Sequence, residues 1–223
     1  MEPFDRAIPA TVHGHYWVRP AREPAGPAPL LVGFHGYGET GEGFLGSLEG
    51  IPGVGAWHLA SIQGLHPFYT RKGEVVAGWM TRFDRELAIA DNTAYARAVV
   101  EALRAELTPA PALVFAGFSQ GVAMAYRAAA AMPSSGLVSL AGDVPPEVDA
   151  ADLPPVLAGR GRDDEWYDDA KLAHDLRRLE AAGVPVETCV FDGGHEWTPA
   201  FYEAAGRFLE RVRSGAVTTG TPR

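Results

Sequence analysis

The sequence predicts one α/β domain, a mostly parallel sheet with helices on both faces. Three observations carry this expectation. Short apolar runs alternate with helical segments from Leu30 to Val212, the pattern of strands joined by crossover helices. The chain has 223 residues, of which 47% are hydrophobic and 21% charged, enough for one sizeable core and short for two. No internal repeat interrupts the alternation.

Taken in order, Val12 to Val18 alternates and carries aromatics, so it is expected to be an opening strand. Pro20 to Pro29 is rich in Pro, Ala and Gly and suits a turn. Leu30 to Phe34 predicts a short apolar strand ending in a glycine-punctuated loop, His35-Gly36-Tyr37-Gly38-Glu39. Ala56 to Ile62 predicts the next strand, and Gly64 to Met80 a surface hairpin turning at Lys72-Gly73. Asp84 or Asp91 is expected to cap a long helix that ends near Leu107, ahead of Pro109. Strands are predicted over Ala112–Ala116, Leu137–Leu140, Pro155–Ala158 and Val186–Phe191. Helices are predicted over Gln120–Met132, Trp166–Ala182 and Pro199–Val212. The domain is expected to span residues 1–213, with 214–223 as a frayed tail. The connection from Gly142 to Pro154 is too short for an inserted domain.

A formal net charge of -9 argues against a nucleic-acid partner, which needs a basic footprint. One cysteine, Cys189, excludes an internal disulfide and any CxxC or Cys/His metal spacing. Cys189 falls inside an expected strand, where an inert thiol outweighs a nucleophile. His13 and His15 would share a strand face, yet two histidines without a third partner make a poor metal site. No stretch reaches the roughly 20 apolar residues of a membrane span. The amino terminus lacks a basic stretch followed by an apolar run, so a cytoplasmic protein is expected. Oligomeric state is not legible.

The chemistry-bearing motif is Gly117-Phe118-Ser119-Gln120-Gly121, between an expected strand and an expected helix. A serine on a tight strand-to-helix turn is lifted out of the sheet, and glycines two residues away on either side permit close packing. The turn also aims the first helical amides at the place where an oxyanion forms. Composition alone gives about 0.1 chance matches to this pattern, so the strand–turn–helix context does much of the arguing.

A serine hydroxyl needs a histidine to take its proton and a carboxylate to fix that histidine. With this turn the chain order is serine, acid, histidine. Two histidines follow Ser119. His174 lies mid-helix among polar residues and reads as a surface group, whereas His195 follows the last strand in Asp192-Gly193-Gly194-His195-Glu196-Trp197. His195 is therefore the expected base. The acid is expected in Gly159 to Tyr167, where Asp163, Asp164 and Glu165 are consecutive and spacing leaves the choice open. Tyr37 and Gln120 are the expected main-chain oxyanion donors, with His35 bracing the loop.

With these residues in place the chain resembles the phospholipase/carboxylesterase group of α/β-hydrolases, which includes the acyl-protein thioesterases. The resemblance runs roughly from Leu30 to Leu209. It rests on Leu31 to Glu39, on Gly117 to Ala125, on Gly161-Arg162-Asp163-Asp164 and on Gly194-His195-Glu196. It implies a fold without a cap domain, no metal or organic cofactor, and hydrolysis of small-molecule esters or thioesters by Ser119, His195 and an acid. The family's acid lies three residues after a strand-end glycine, which favours Asp164, then Asp163, with Glu165 third. Tyr37 where a leucine is common, and Glu165-Trp166-Tyr167 after the acid, depart from the family beside the pocket. Tyr37, Phe68, Trp79, Trp166 and Trp197 are the candidates to line an apolar acyl groove. Perhydrolase, lactonase or peptidase chemistry with the same triad is the alternative, and a non-enzymatic binding module a weaker one.

Overall fold

A strand that is apolar at every position needs cover on both faces, and the central strands here receive it. The computed structural model describes residues 3–22 and 26–216. Its main sheet contains β1 (Tyr16–Arg19), β2 (Leu30–Phe34), β3 (His58–Ile62), β6 (Leu113–Phe118), β7 (Gly136–Leu140), β8 (Val156–Gly161) and β9 (Val186–Phe191). Their order across the sheet is β1-β3-β2-β6-β7-β8-β9, with only β1 antiparallel. A hairpin of β4 (His66–Tyr69) and β5 (Val75–Gly78) stands apart, as expected from the sequence.

Alternation sorts the strand residues into two cores. Leu30, Val32, Phe34 and Phe115 point into one, with α2 (Arg85–Leu107), α3 (Gln120–Ala131) and α4 (Asp169–Ala181) packed over them. Leu31, Val114, Ala116 and Phe118 point into the other, under α1 (Gly41–Glu49) and α5 (Pro199–Arg213). The segment between β7 and β8 contains only a short 3-10 turn at Ala150–Asp152, so no cap domain is inserted there.

Several boundaries differ from the sequence expectation. Helix α1 was not foreseen because Gly41, Gly43 and Gly46 each cost about 1 kcal/mol of helix propensity. Burial of Phe44 and Leu48, roughly 1.5–3 kcal/mol each, offsets that loss, and the Thr40 side chain caps the first turn by accepting from Gly43 N. Strand β1 begins only at Tyr16, so His13 and His15 precede it and strand alternation does not align them. Asp84 occupies the cap position of α2, but its left-handed backbone (φ 46°) leaves its side chain out of the cap. Strand β8 runs on through Gly161, paired to β9 as far as Phe191. Helix α4 starts at Asp169, capped by Asp168, leaving Trp166 and Tyr167 in the preceding loop. Of the expected tail, residues 217–223 lie outside the described residues, and α5 ends at Arg213. Among the described residues no helix is long and apolar enough to cross a membrane.

The candidate triad and oxyanion residues emerge beyond the carboxyl ends of parallel strands β2, β6, β8 and β9. The sequence steps outward from β2 to β3 on one side and to β6 on the other, which opens a crevice between β2 and β6.

Candidate active site

Ser119 joins β6 directly to α3 with φ 52° and ψ −121°, a conformation that costs a non-glycine residue about 1–3 kcal/mol. The surroundings hold it there. Ser119 N donates to Leu140 O at 2.9 Å, and Val122 N donates to Ser119 O at 3.0 Å. The flanking glycines are required by contact: a Cβ on Gly117 would sit 2.5 Å from Gly121 O, and one on Gly121 would sit 2.0 Å from Phe34 O. Helix α3 therefore starts directly against the end of β2.

In the loop after β2 the amides on either side of Tyr37 are engaged. Gly36 N donates to Glu39 Oε2 (2.7 Å), Gly38 N to Ala77 O (2.9 Å) and Glu39 N to Gly36 O (3.2 Å). Among the described residues Tyr37 N has no acceptor, and neither does Gln120 N at the start of α3. Two free amides beside a serine at a strand end match the requirement for an oxyanion hole. The side chain of Gln120 is engaged elsewhere: its Oε1 accepts from Trp79 N (2.8 Å) and its Nε2 donates to Met80 O (3.1 Å).

His35 is fully buried and braces this loop. Gly64 N donates to its Nε2 at 3.0 Å, so Nδ1 carries the proton and donates to Gly36 O at 2.7 Å. Burial pushes its pKa down, which keeps the ring neutral. Beside it, burial raises the Glu39 carboxyl, while the Gly36 amide and the charge of His195 act in the opposite sense.

At the other end of the crevice Asp164 is buried and accepts from Trp166 N and Tyr167 N, both at 2.9 Å. His195 Nδ1 lies 2.9 Å from Asp164 Oδ2 and 3.1 Å from Oδ1. The carboxylate accepts, so Nδ1 donates and Nε2 is left to receive a proton. The imidazole packs on Phe118, ring centroids 4.9 Å apart, one residue before the serine. Asp163 and Glu165 are exposed, and the backbone of Asp163 is tied to Gly193 O. Of the three acidic residues left open by spacing, the structure brings Asp164 to the histidine.

The two loops meet because Gly161 has no side chain; a Cβ there would lie 2.2 Å from both Gly193 O and Gly194 O. Beneath them Tyr167 donates its hydroxyl to Asp175 Oδ2 (2.9 Å), which also accepts from Val144 N (3.0 Å). The sequence reading missed Asp175. Its signal was an acidic residue in the buried stripe Leu172, Asp175, Leu179 of α4.

Ser119 and His195 line one cleft of about 480 Å³. Among the described residues no hydrogen bond joins them, a looseness common before substrate binds. Trp166, 73% exposed, lines this cleft. Tyr37 stacks on Phe68 at 5.1 Å, placing the pair on the hairpin side of the loop after β2. Two aromatic expectations need correction. Trp79 is 0% exposed and donates its indole N–H to His35 O at 2.8 Å, so it supports the loop from within the core. Trp197 packs against Phe44, Phe201 and Tyr202 under the opposite sheet face, drawn there by apolar burial. His174 is exposed on α4, and Cys189 is half-buried on β9, where burial pushes its thiol pKa up.

No family model and no curated protein matches the sequence. Solved structures do. Esterase PE8 is 25% identical with a TM-score of 0.67, covering 90% of this chain and 100% of its own. The Bacillus cereus carboxylesterase is 17% identical with a TM-score of 0.71, covering 89% of this chain and 94% of its own. The Zea mays acyl-protein thioesterase 2 is 19% identical with a TM-score of 0.67, covering 90% of this chain and 99% of its own. The fold is that of an α/β-hydrolase. Its particular form is the single-domain one shared with these carboxylesterase and acyl-protein thioesterase structures.

Proposed function

We propose that this protein is a serine hydrolase that cleaves carboxylic esters, and thioesters by the same route, through an acyl-enzyme. Ser119 Oγ attacks the acyl carbonyl while His195 Nε2 takes its proton. Asp164 holds the imidazole in the Nδ1–H tautomer and stabilises the imidazolium. The Tyr37 and Gln120 amides receive the oxyanion. His195 then protonates the departing alcohol or thiol, and activates the water that releases the acid.

The observation that carries the reading is the bond from His195 Nδ1 to a buried carboxylate that two main-chain amides already orient. A histidine fixed in that way presents Nε2 to the cleft shared with Ser119. Support also comes from the esterase and thioesterase structures that share the fold. A small-molecule ester in the cytoplasm is the proposed setting, and residues 1–213 the working domain.

A fluorophosphonate probe tests it. Folded protein is expected to label stoichiometrically at Ser119 and to lose labelling in Ser119→Ala, which also abolishes turnover of 4-nitrophenyl esters. Folded wild-type protein that neither labels nor hydrolyses a panel of aryl esters, thioesters and lactones would defeat the proposal.

A further inference from the structure

Three cations line the cleft beside Ser119, in a protein whose net charge is -9. They are Arg85 on α2, Arg127 on α3 and Lys171 on α4. Gln120, Ala123 and Arg127 recur at helical spacing, so one face of α3 forms a wall of the cleft leading from the serine to Arg127.

Arg127 is buried to 4% exposure, and its donors are unevenly used. Nε and Nη2 both donate to Glu147 Oε1, at 2.8 and 2.5 Å. Among the described residues Nη1 meets only two thioether sulfurs, Met80 Sδ at 3.5 Å and Met124 Sδ at 3.8 Å. Sulfur is a weak acceptor, so one edge of a buried guanidinium lacks the oxygen it is built to hold. Arg85 Nη1 lies 3.9 Å from Glu147 Oε2, a long contact that leaves most of its fork free. Lys171 Nζ donates to Trp166 O at 2.6 Å. Of the acidic residues the lining contains Asp143, exposed and without an ion-pair partner among the described residues, whereas Asp164 and Glu147, engaged by His195 and Arg127, are outside it.

We propose that the cleft selects esters bearing a second, ionised carboxylate, received by Arg127 Nη1 and Arg85 while the scissile carbonyl sits at Ser119. The proposal rests on the hydrolase reading above and names its substrate class. Eight residues of α3 separate the two ends, about 12 Å along the axis. Helical side chains lean toward the amino terminus, so Arg127 reaches back toward Ser119 and shortens that gap. A spacer of about four methylenes suits it, lying along Met80, Pro145 and Trp166. Hydrolysis then breaks the acyl C–O bond, transfers the acyl group to Ser119 Oγ and, with one water, releases a dicarboxylic acid and the alcohol.

The test compares mono-4-nitrophenyl adipate with its neutral methyl ester, methyl 4-nitrophenyl adipate. Both need the same triad, so the ratio of their kcat/KM values does not depend on how much enzyme is folded. Wild-type enzyme is expected to favour the hemiester about 10-fold or more at low salt, an amount one charge-assisted contact supplies, and to lose much of that preference at 0.5 M NaCl. Arg127→Met is expected to bring the ratio near one, chiefly through KM. Arg85→Gln, at an exposed position, should lower it a few-fold and carries the test if Arg127→Met fails to fold. Equal use of both esters by wild type, or a ratio unmoved by either substitution, would overturn the proposal. Failure to turn over either ester, together with no fluorophosphonate labelling, would instead remove the hydrolase reading and this inference with it.

Discussion

Ser119 and the two free amides arise from β2 and β6, strands paired on both sides at the centre of the sheet. Asp164 and His195 arise from β8 and from β9, its edge strand. The central half is held by main-chain contact: Gly117 and Gly121 allow α3 to start against β2, and the strained serine is clamped by its own amide and carbonyl. The marginal half adds side chains to its main-chain contacts: Asp163 N and Arg162 N tie the two loops together, while Asp164 gathers two amides and His195, and Asp175 anchors Tyr167 beneath them. The first half is fixed before any functional group is placed. The second takes the orientation of its histidine from one particular carboxylate.

The sharpest way to break this contrast is at the acid. Asp164→Asn is expected to lower kcat on the order of 10⁴-fold, about 5.5 kcal/mol of transition-state stabilisation, by favouring the wrong histidine tautomer. Asp163→Asn, at an exposed side chain, should leave kcat within a few-fold of wild type. Steady-state kinetics on the two variants decides it, and the reverse ranking would move the acid to Asp163.

Next in size is the crowding at the centre. Gly121→Ala must displace the carbonyl of Phe34 from 2.0 Å, so a loss of about 3 kcal/mol or more is expected in urea melts. Gly194→Ala in the histidine loop meets only Asp163 O at 4.0 Å, and its stability should stay within about 0.5 kcal/mol of wild type. Similar losses for both would mean that the two halves are equally crowded.

The smallest effect concerns pH. Burial depresses the pKa of His35 in the folded state, so as pH falls the unfolded chain takes up its proton first. The stability it contributes is present above the ordinary histidine value near 6.5 and is lost as pH falls through the folded pKa. His58, also depressed by burial, adds to the same slope. Glu39 has the opposite sign: its raised pKa adds stability at low pH, lost as pH rises through the folded value. Thermal melts should therefore show Tm falling below about pH 6.5, with a shallower slope in His35→Gln. An unchanged slope in that variant would mean that His35 is not a buried, neutral brace.

The same contrast explains what could be read from the chain. Strands β2 and β9 match their expected bounds because turn residues bracket both, Pro29 and Gly36 around β2 and Pro185 and Gly193 around β9. The elbow was legible because close approach of backbones leaves glycine as its trace. Helix α1 was not, since its three glycines hide a segment held by Phe44 and Leu48 from outside. The start of α4 was misjudged because Asp164 draws the Trp166 and Tyr167 amides to itself, delaying the helix to Asp169. Adjacent acids look alike in one dimension; burial and a partner separate them. Trp79 and Trp197 were expected at the substrate because an aromatic's position shows nothing of whether it faces core or cleft.

The proposed oxyanion donors are main-chain groups whose side chains are engaged elsewhere, Tyr37 against Phe68 and Gln120 against Trp79 and Met80. A main-chain amide survives any non-proline substitution. Genetic drift at position 37 can therefore recolour the cleft rim while the donor beneath stays constant, which separates the evolution of substrate preference from that of rate. A library randomised at residues 37 and 68 would sample new specificities from a scaffold whose reaction centre is not encoded at either site.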